Sequence, residues 1–182
     1  MNQRYLISSL SALVVCIGIH SIFESAPHLT QSLLTTPSAH LASILTGSPI
    51  LKTPEETWLL TVTIGSPQIV TNACSGSGFT SLIIGLFIWQ ALTLRPRGTR
   101  LIITTLLIYP FAITTNACRI TLSSLAAEVS ERLFGPSTHD IVHMGLGTFV
   151  FLFAIIVFNL ILTYAYRSQR IRHTRQSVDL TV

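Results

Sequence analysis

The chain has 182 residues, 49% of them hydrophobic and only 10% charged, with a formal net charge of +4. Soluble domains carry about 25% charged residues, so this deficit, joined to long apolar runs, excludes a large water-soluble core and points to membrane spans. Cys16, Cys74 and Cys118 form no Cys-x-x-Cys pair, which argues against a zinc knuckle or a thioredoxin-like motif, and the odd count leaves at least one thiol free.

The first apolar run, Tyr5 to Phe23, follows Arg4. At 19 residues it is long for a cleaved leader and reads as a retained span. Residues 24–56 read as a loop punctuated by Pro27, Pro37, Pro49 and Pro54. Within it Leu41, Ile44 and Leu45 have helical spacing, which predicts a short helix lying on the membrane surface. Thr61–Ile64, the turn Gly65-Ser66-Pro67 and Gln68–Thr71 predict a small β-hairpin. It leads into Asn72-Ala73-Cys74-Ser75-Gly76-Ser77-Gly78.

A second span is expected over residues 77–94, followed by the basic turn Arg95-Pro96-Arg97-Gly98-Thr99-Arg100. The third, 101–118, contains Pro110, which should bend it. Leu122, Leu125, Ala126, Val129 and Leu133 then predict an amphipathic helix at the outer interface from Arg119 to Phe134, stopped by Gly135-Pro136. The last span is expected over 141–166, with a basic cytoplasmic tail at 167–182. The expected fold is thus one all-α integral membrane domain, 1–182, with about four transmembrane helices, short extracytoplasmic amphipathic helices and a small hairpin.

Charge orients this arrangement. Arg4, Arg95, Arg97, Arg100, Arg167, Arg170, Arg172 and Arg175 fall on one side of a four-span chain. Glu24, Glu55, Glu56, Glu128, Glu131 and Asp140 fall on the other. The positive-inside rule then places both termini in the cytoplasm. The net positive charge is accounted for by topology, and no nucleic-acid partner is expected; the lipid bilayer is.

This topology brings Cys74, Arg119 and His143 to the outer ends of spans two, three and four. A thiolate is the nucleophilic form of cysteine, and a neighbouring cation or imidazole favours it. Ser75, Gly76 and Gly78 lead into a helix, whose N-terminus favours an anion. His143 could move a proton, and Arg119 could hold an oxyanion. Together these are the parts of acyl transfer through a thioester. Each also has a plainer role: cysteine as a small packing residue, the class to which Cys16 belongs, arginine as a headgroup anchor, histidine as a hydrogen-bonded helix residue. Arg119 fits the anchor role poorly, because it lies outside, against the charge bias.

Ala73-Cys74-Ser75-Gly76, Asn116-Ala117-Cys118-Arg119 with Ile120, and His143 followed by Gly147 and Phe149 resemble the three motifs of the exosortase and archaeosortase family. Residues 37–47 are similar to a segment upstream of the family's cysteine motif. The short length and the Cys-Ser-Gly-x-x-Phe form ending at Phe79 resemble the small stand-alone type, exosortase K. The resemblance implies a multi-pass cysteine protease/transpeptidase of the bacterial inner membrane, its active site facing the periplasm. Its substrates would be membrane-anchored proteins with a C-terminal sorting signal: a short motif, a transmembrane helix and a basic tail. By position, Cys74 is the nucleophile, Arg119 the oxyanion or orienting residue and His143 the acid/base, with no cofactor. The chain departs from the larger family pattern in having fewer spans.

Two other readings carry their own residues. A membrane thiol-redox protein would pair Cys74 with Cys118, although such proteins generally use paired cysteines and a quinone site. A metal site would use His139 and His143, four apart on one helix face, with Asp140; no Glu stands where a His-Glu-x-x-His motif would require it. A non-catalytic helical scaffold predicts no dependence on Cys74.

Overall fold

The computed structural model describes residues 3–53, 57–61, 68–94, 96, 98–135 and 139–179. Among these, the side chains of Arg4, Gln68, Ala73, Glu128, Glu131, Phe134, His139, Asp140, His143 and 167–179 lie outside the description. The elements run α1 (Gln3–Ser25), α2 (Pro27–Thr30), a π turn (Gln31–Thr35), α3 (Thr36–Thr46), β1 (Ile50–Lys52), β2 (Trp58–Leu60) and β3 (Gln68–Val70). A 3-10 turn (Asn72–Cys74), α4 (Ser77–Leu94), α5 (Gly98–Phe134) and α6 (His139–Asp179) complete the chain.

Four helical segments are long and apolar enough to cross a membrane: Tyr5–Ser25, Ser77–Leu94, Gly98–Ala127 and Met144–Tyr166. They bear out the expected four spans.

The spans pack through small and aromatic residues. Helix α1 lies against α4, where a methyl group built at Gly85 would sit 3.1 Å from Cys16 Cβ and 3.4 Å from the Ala12 carbonyl oxygen. Small residues permit this close approach, which in lipid is a main source of helix association. Phe79, Ile83 and Phe87 of α4, Ile108 and Ala112 of α5, and Ala154, Phe158 and Leu162 of α6 form the intramembrane core. Buried Gln90 donates through Nε2 to Asn159 Oδ1 and, at 3.3 Å, to Thr163 Oγ1, joining α4 to α6. At the α4–α5 turn, the Arg100 guanidinium donates to the Ala165 carbonyl. Of the basic turn's arginines, Arg95 and Arg97 lie outside the described residues.

The structure bears on three further expectations. First, the stretch 119–134 is not a separate interfacial helix. It continues α5, a helix of 37 residues interrupted only in its hydrogen bonding by Pro110. At 1.5 Å per residue this is about 55 Å long, against about 30 Å of hydrocarbon, so α5 projects well beyond a bilayer. Its expected apolar stripe, Leu122, Leu125, Val129 and Leu133, is exposed, whereas Ser123, Ser124, Ala127 and Ser130 are buried. Helix α6 likewise continues to Asp179, through most of the expected basic tail.

Second, the expected short helix exists as α3, and it packs on the protein through small residues. Ser38, Ala39 and Ala42 are fully buried, while Ile44 and Leu45 are 75% and 52% exposed. Pro37 in its first turn and Gly47 at φ +64° delimit it.

Third, the hairpin belongs to a three-stranded sheet. Gln68–Val70, within the expected second strand, pairs with Trp58–Leu60, and residues 62–67, which hold most of the expected first strand Thr61–Ile64 and its turn, lie outside the described residues. Trp58 pairs with Val70 and Leu60 with Gln68, and β1 adds on the other edge with Ile50 opposite Leu60. The sheet is antiparallel in the order β1-β2-β3. Trp58 Nε1 donates to Thr36 Oγ1 at 3.0 Å, and its ring meets His40 edge-on at 5.1 Å, which ties sheet to α3. Ala39, Ala42, Leu60, Val70, Ala117 and Ile120 form a second core that seats α3 and the sheet on α5.

Candidate active site

Cys74 closes the 3-10 turn that connects β3 to α4. Its amide donates to the Thr71 carbonyl at 2.9 Å, and Ser75 N donates to Asn72 O at 3.0 Å. Gly76 then takes φ +70°, a left-handed conformation that disfavours a side chain. This reversal starts α4: Thr80 N donates to Gly76 O at 2.8 Å, and Ser77 N to Ser75 Oγ at 3.2 Å. Asn72 pins the turn from the other side. Its Nδ2 donates to Pro27 O at 3.3 Å, and its Oδ1 accepts from Thr35 Oγ1 at 3.2 Å. Cys74 is half-buried and packs against the second core.

Helix α5 meets this turn through Asn116, whose Nδ2 donates to the carbonyls of Cys74 and Ser75 at 2.8 and 3.0 Å. Arg119 follows three residues on, close to one turn along the same helix. Its side chain runs along α6: a methyl group built at Gly147 would lie 3.4 Å from Arg119 Cδ. The guanidinium carbon stands 5.1 Å from the centre of the Phe151 ring, a cation–π contact contributing about 1 kcal/mol. Phe151 in turn stacks on Phe79, with centroids 4.5 Å apart and planes 9° from parallel. Arg119 Nε is buried and has no hydrogen-bond partner among the described residues.

His143 lies in the first turns of α6, four residues before Gly147 and eight before Phe151. That spacing puts 143, 147 and 151 on one helix face, the face that Arg119 lies against. The His143 side chain is outside the described residues, as are those of His139 and Asp140. The structure therefore joins the segments bearing Cys74 and Arg119 through Asn116, and brings Arg119 to the helix face that carries position 143. Among the described residues no group of three or more metal-ligating side chains is found. Cys16, Cys74 and Cys118 are free thiols.

Two residues of this assembly were not singled out from sequence. Phe151, not Phe149, is the aromatic that meets Arg119; Phe149 is 66% exposed. Counting in fours from His143 would have found it. Asn116 was noted only as a motif member, because its partners lie 41 and 42 residues away. Next to the site, an apolar cleft of about 510 Å3 lies between α5 and α6, lined by Leu122, Leu125, Ala126, Val129, Val142 and Leu146. A larger apolar groove of about 560 Å3 lies between the same helices among the spans, lined by residues including Arg100, Leu107, Pro110, Thr114 and Phe158.

Four apolar helices with a thiol turn and an arginine linked across three of them define a multi-pass membrane protein with a cysteine-centred candidate site. The chain belongs to the transmembrane exosortase family: the family model (Exosortase_EpsH) matches residues 4–160, most of its length. Membership points to a protein-processing role in the membrane, in a family that is typically cysteine peptidase-like. No curated protein and no solved structure matches the chain.

Proposed function

We propose that the chain is a membrane-embedded cysteine protease/transpeptidase that cleaves C-terminal sorting signals of exported proteins through a Cys74 thioester. The observation that carries this reading is the linkage of the motif segments: Asn116 holds the Cys74 carbonyl while Arg119, one turn on, lies along the α6 face of position 143. The family match supports the same reaction class.

In the proposed reaction the substrate's transmembrane helix lies against the spans, and its motif reaches the extracytoplasmic end of α4 and α5. The apolar α5–α6 groove supports such lateral docking. The Cys74 thiolate adds to the scissile carbonyl, and Arg119 hydrogen-bonds the tetrahedral oxyanion. Collapse of the intermediate breaks the C–N bond, with His143 giving its proton to the departing amine. The acyl group remains on sulfur until water or an acceptor amine attacks and regenerates the thiol. Planarity and several fixed donors suit the guanidinium to an oxyanion better than an ammonium.

The test is in cells that make the enzyme together with a protein ending in motif, transmembrane helix and basic tail. Cys74→Ala is expected to accumulate in the membrane at the normal level while the substrate keeps its tail. Normal processing by that variant would overturn the proposal. Trapping of the substrate's acyl fragment on Cys74, seen by mass spectrometry and released by hydroxylamine, would identify the thioester directly.

A further inference from the structure

Asn116 is 1% exposed, yet it carries an amide into the packing between α5 and the cysteine turn. Its Nδ2 donates to two consecutive carbonyls, those of Cys74 and Ser75. Its Oδ1 is buried with no hydrogen-bond partner among the described residues. A buried unpaired acceptor is destabilising, so packing alone would favour an apolar residue of similar shape here. Gly76 completes the fit. A methyl group at that position would lie 3.1 Å from both Asn116 Cγ and Oδ1, so the side chain of Asn116 occupies the space that the glycine leaves.

These contacts fix the backbone on both sides of Cys74. Its N–H is held by the Thr71 carbonyl, which sets the preceding peptide plane. Its own carbonyl is held by Asn116, which sets the following plane. With both planes set, the direction of the Cα–Cβ bond follows from covalent geometry. We infer that Asn116 is a positioning residue, whose amide aims the Cys74 thiol by clamping the Cys74 and Ser75 carbonyls. The inference rests on the reading of Cys74 as nucleophile. It adds to that reading the group that holds the nucleophile's backbone, about one turn before Arg119 on the same helix.

The test uses the full chain carrying C16S and C118S, so that Cys74 is the one cysteine, reconstituted in lipid discs. Cysteine isotope-labelled at its carbonyl carbon gives the Cys74 carbonyl its own infrared band. A dipyridyl disulfide, which reacts with thiols across a wide pH range, reports the rate at which Cys74 is reached. In N116L the band is expected to move to higher wavenumber, and the reaction rate to change by at least about threefold. N116D supplies a readout that mere space-filling would not move. Burial beside two carbonyls raises the pKa of the new carboxyl well above the ordinary carboxylate value, so the series runs from about pH 4 to about pH 10: at the alkaline end the carboxylate cannot donate and both signals should depart as in N116L, and at the acid end the neutral carboxyl donates one hydrogen bond and both should return toward Asn116 values. An unshifted band with an unchanged rate in N116L, or an N116D-to-wild-type ratio that does not vary with pH, overturns the proposal. If N116L does not fold, the pH series on the near-isosteric N116D decides alone. Failure of the peptidase reading has a different signature: Cys74→Ala processes substrate normally while the band and rate still respond to position 116.

Discussion

Arg119 is held by contacts that a lysine would not reproduce. Its guanidinium faces Phe151, and its stem crosses Gly147. Arg119→Lys keeps the charge but loses the planar fork, so substrate cleavage is expected to fall at least about tenfold, equivalent to about 1.4 kcal/mol of transition-state stabilisation. Quantified processing in cells at matched protein levels checks this, and wild-type cleavage by the lysine variant would show that Arg119 serves only as a charge. Gly147 gives a graded companion. Gly147→Ala adds a methyl at ordinary contact distance from Arg119 and should be tolerated; Gly147→Leu must push the arginine aside and should resemble loss of Arg119. Equal activity in both variants would mean that the packing of Arg119 on α6 is immaterial. At this scale the sequence was legible where a motif is contiguous: Cys74 with its glycines and Arg119 with its neighbours stand out. It was less legible where a role depends on a distant partner. Nothing local marks Asn116 as the group that holds a carbonyl 42 residues earlier.

Elements were read well in number, while the small-residue faces by which they pack were not read. The four spans follow from length and apolarity alone, which the bilayer enforces. The faces follow another rule. On α3 the helical spacing of Leu41, Ile44 and Leu45 marked the helix, while the protein contact is made by buried Ala39 and Ala42 and Ile44 is exposed. On the last part of α5, Leu122, Val129 and Leu133 are exposed and Ser123, Ser124 and Ala127 buried. Small residues let helices approach closely. A search for apolar stripes finds the sides left exposed and passes over the small residues that make the contacts. The strand at Trp58–Leu60 was not read from sequence because what holds Trp58, its hydrogen bond to Thr36 and its contact with His40, is tertiary. The α1–α4 contact offers the direct test. Gly85→Leu places a branched side chain where even a methyl would meet Cys16 Cβ at 3.1 Å. It should lower the thermal midpoint of the purified protein, corresponding to about 1–3 kcal/mol for overpacking. Cys16→Gly in the same chain should recover part of the loss. No loss in Gly85→Leu would mean that α1 can move off α4 freely.

The whole molecule has two chemically different ends. At one, Arg100 bonds the Ala165 carbonyl, so the basic α4–α5 turn sits beside the end of the last span. At the other lie the Cys74 turn, Asn116 and the Arg119 contact with Gly147. We propose that all four apolar helices cross, which puts the N-terminus, the 95–100 turn and the 167–175 arginines on one face of the membrane. On that proposal eight of the eleven Lys and Arg residues share one side: Arg4, Arg95, Arg97, Arg100, Arg167, Arg170, Arg172 and Arg175. The positive-inside bias supports a cytoplasmic placement of that side. The prediction is that reporters fused before Arg4 and after Val182 both report cytosol, and that a membrane-impermeant maleimide labels Cys74 in intact spheroplasts. The maleimide arm is done with Cys16 and Cys118 replaced by serine. Labelling of Cys74 only after permeabilisation would invert the orientation and move the proposed chemistry to the cytosol, where exported proteins could not present their signals. A split result, with the two termini on opposite sides, would mean that one of the four apolar helices does not cross. The first, Tyr5–Ser25, is the one to examine then. The other three carry the residues that hold Cys74 and Arg119 in place, and α1 reaches them chiefly through its contact with α4.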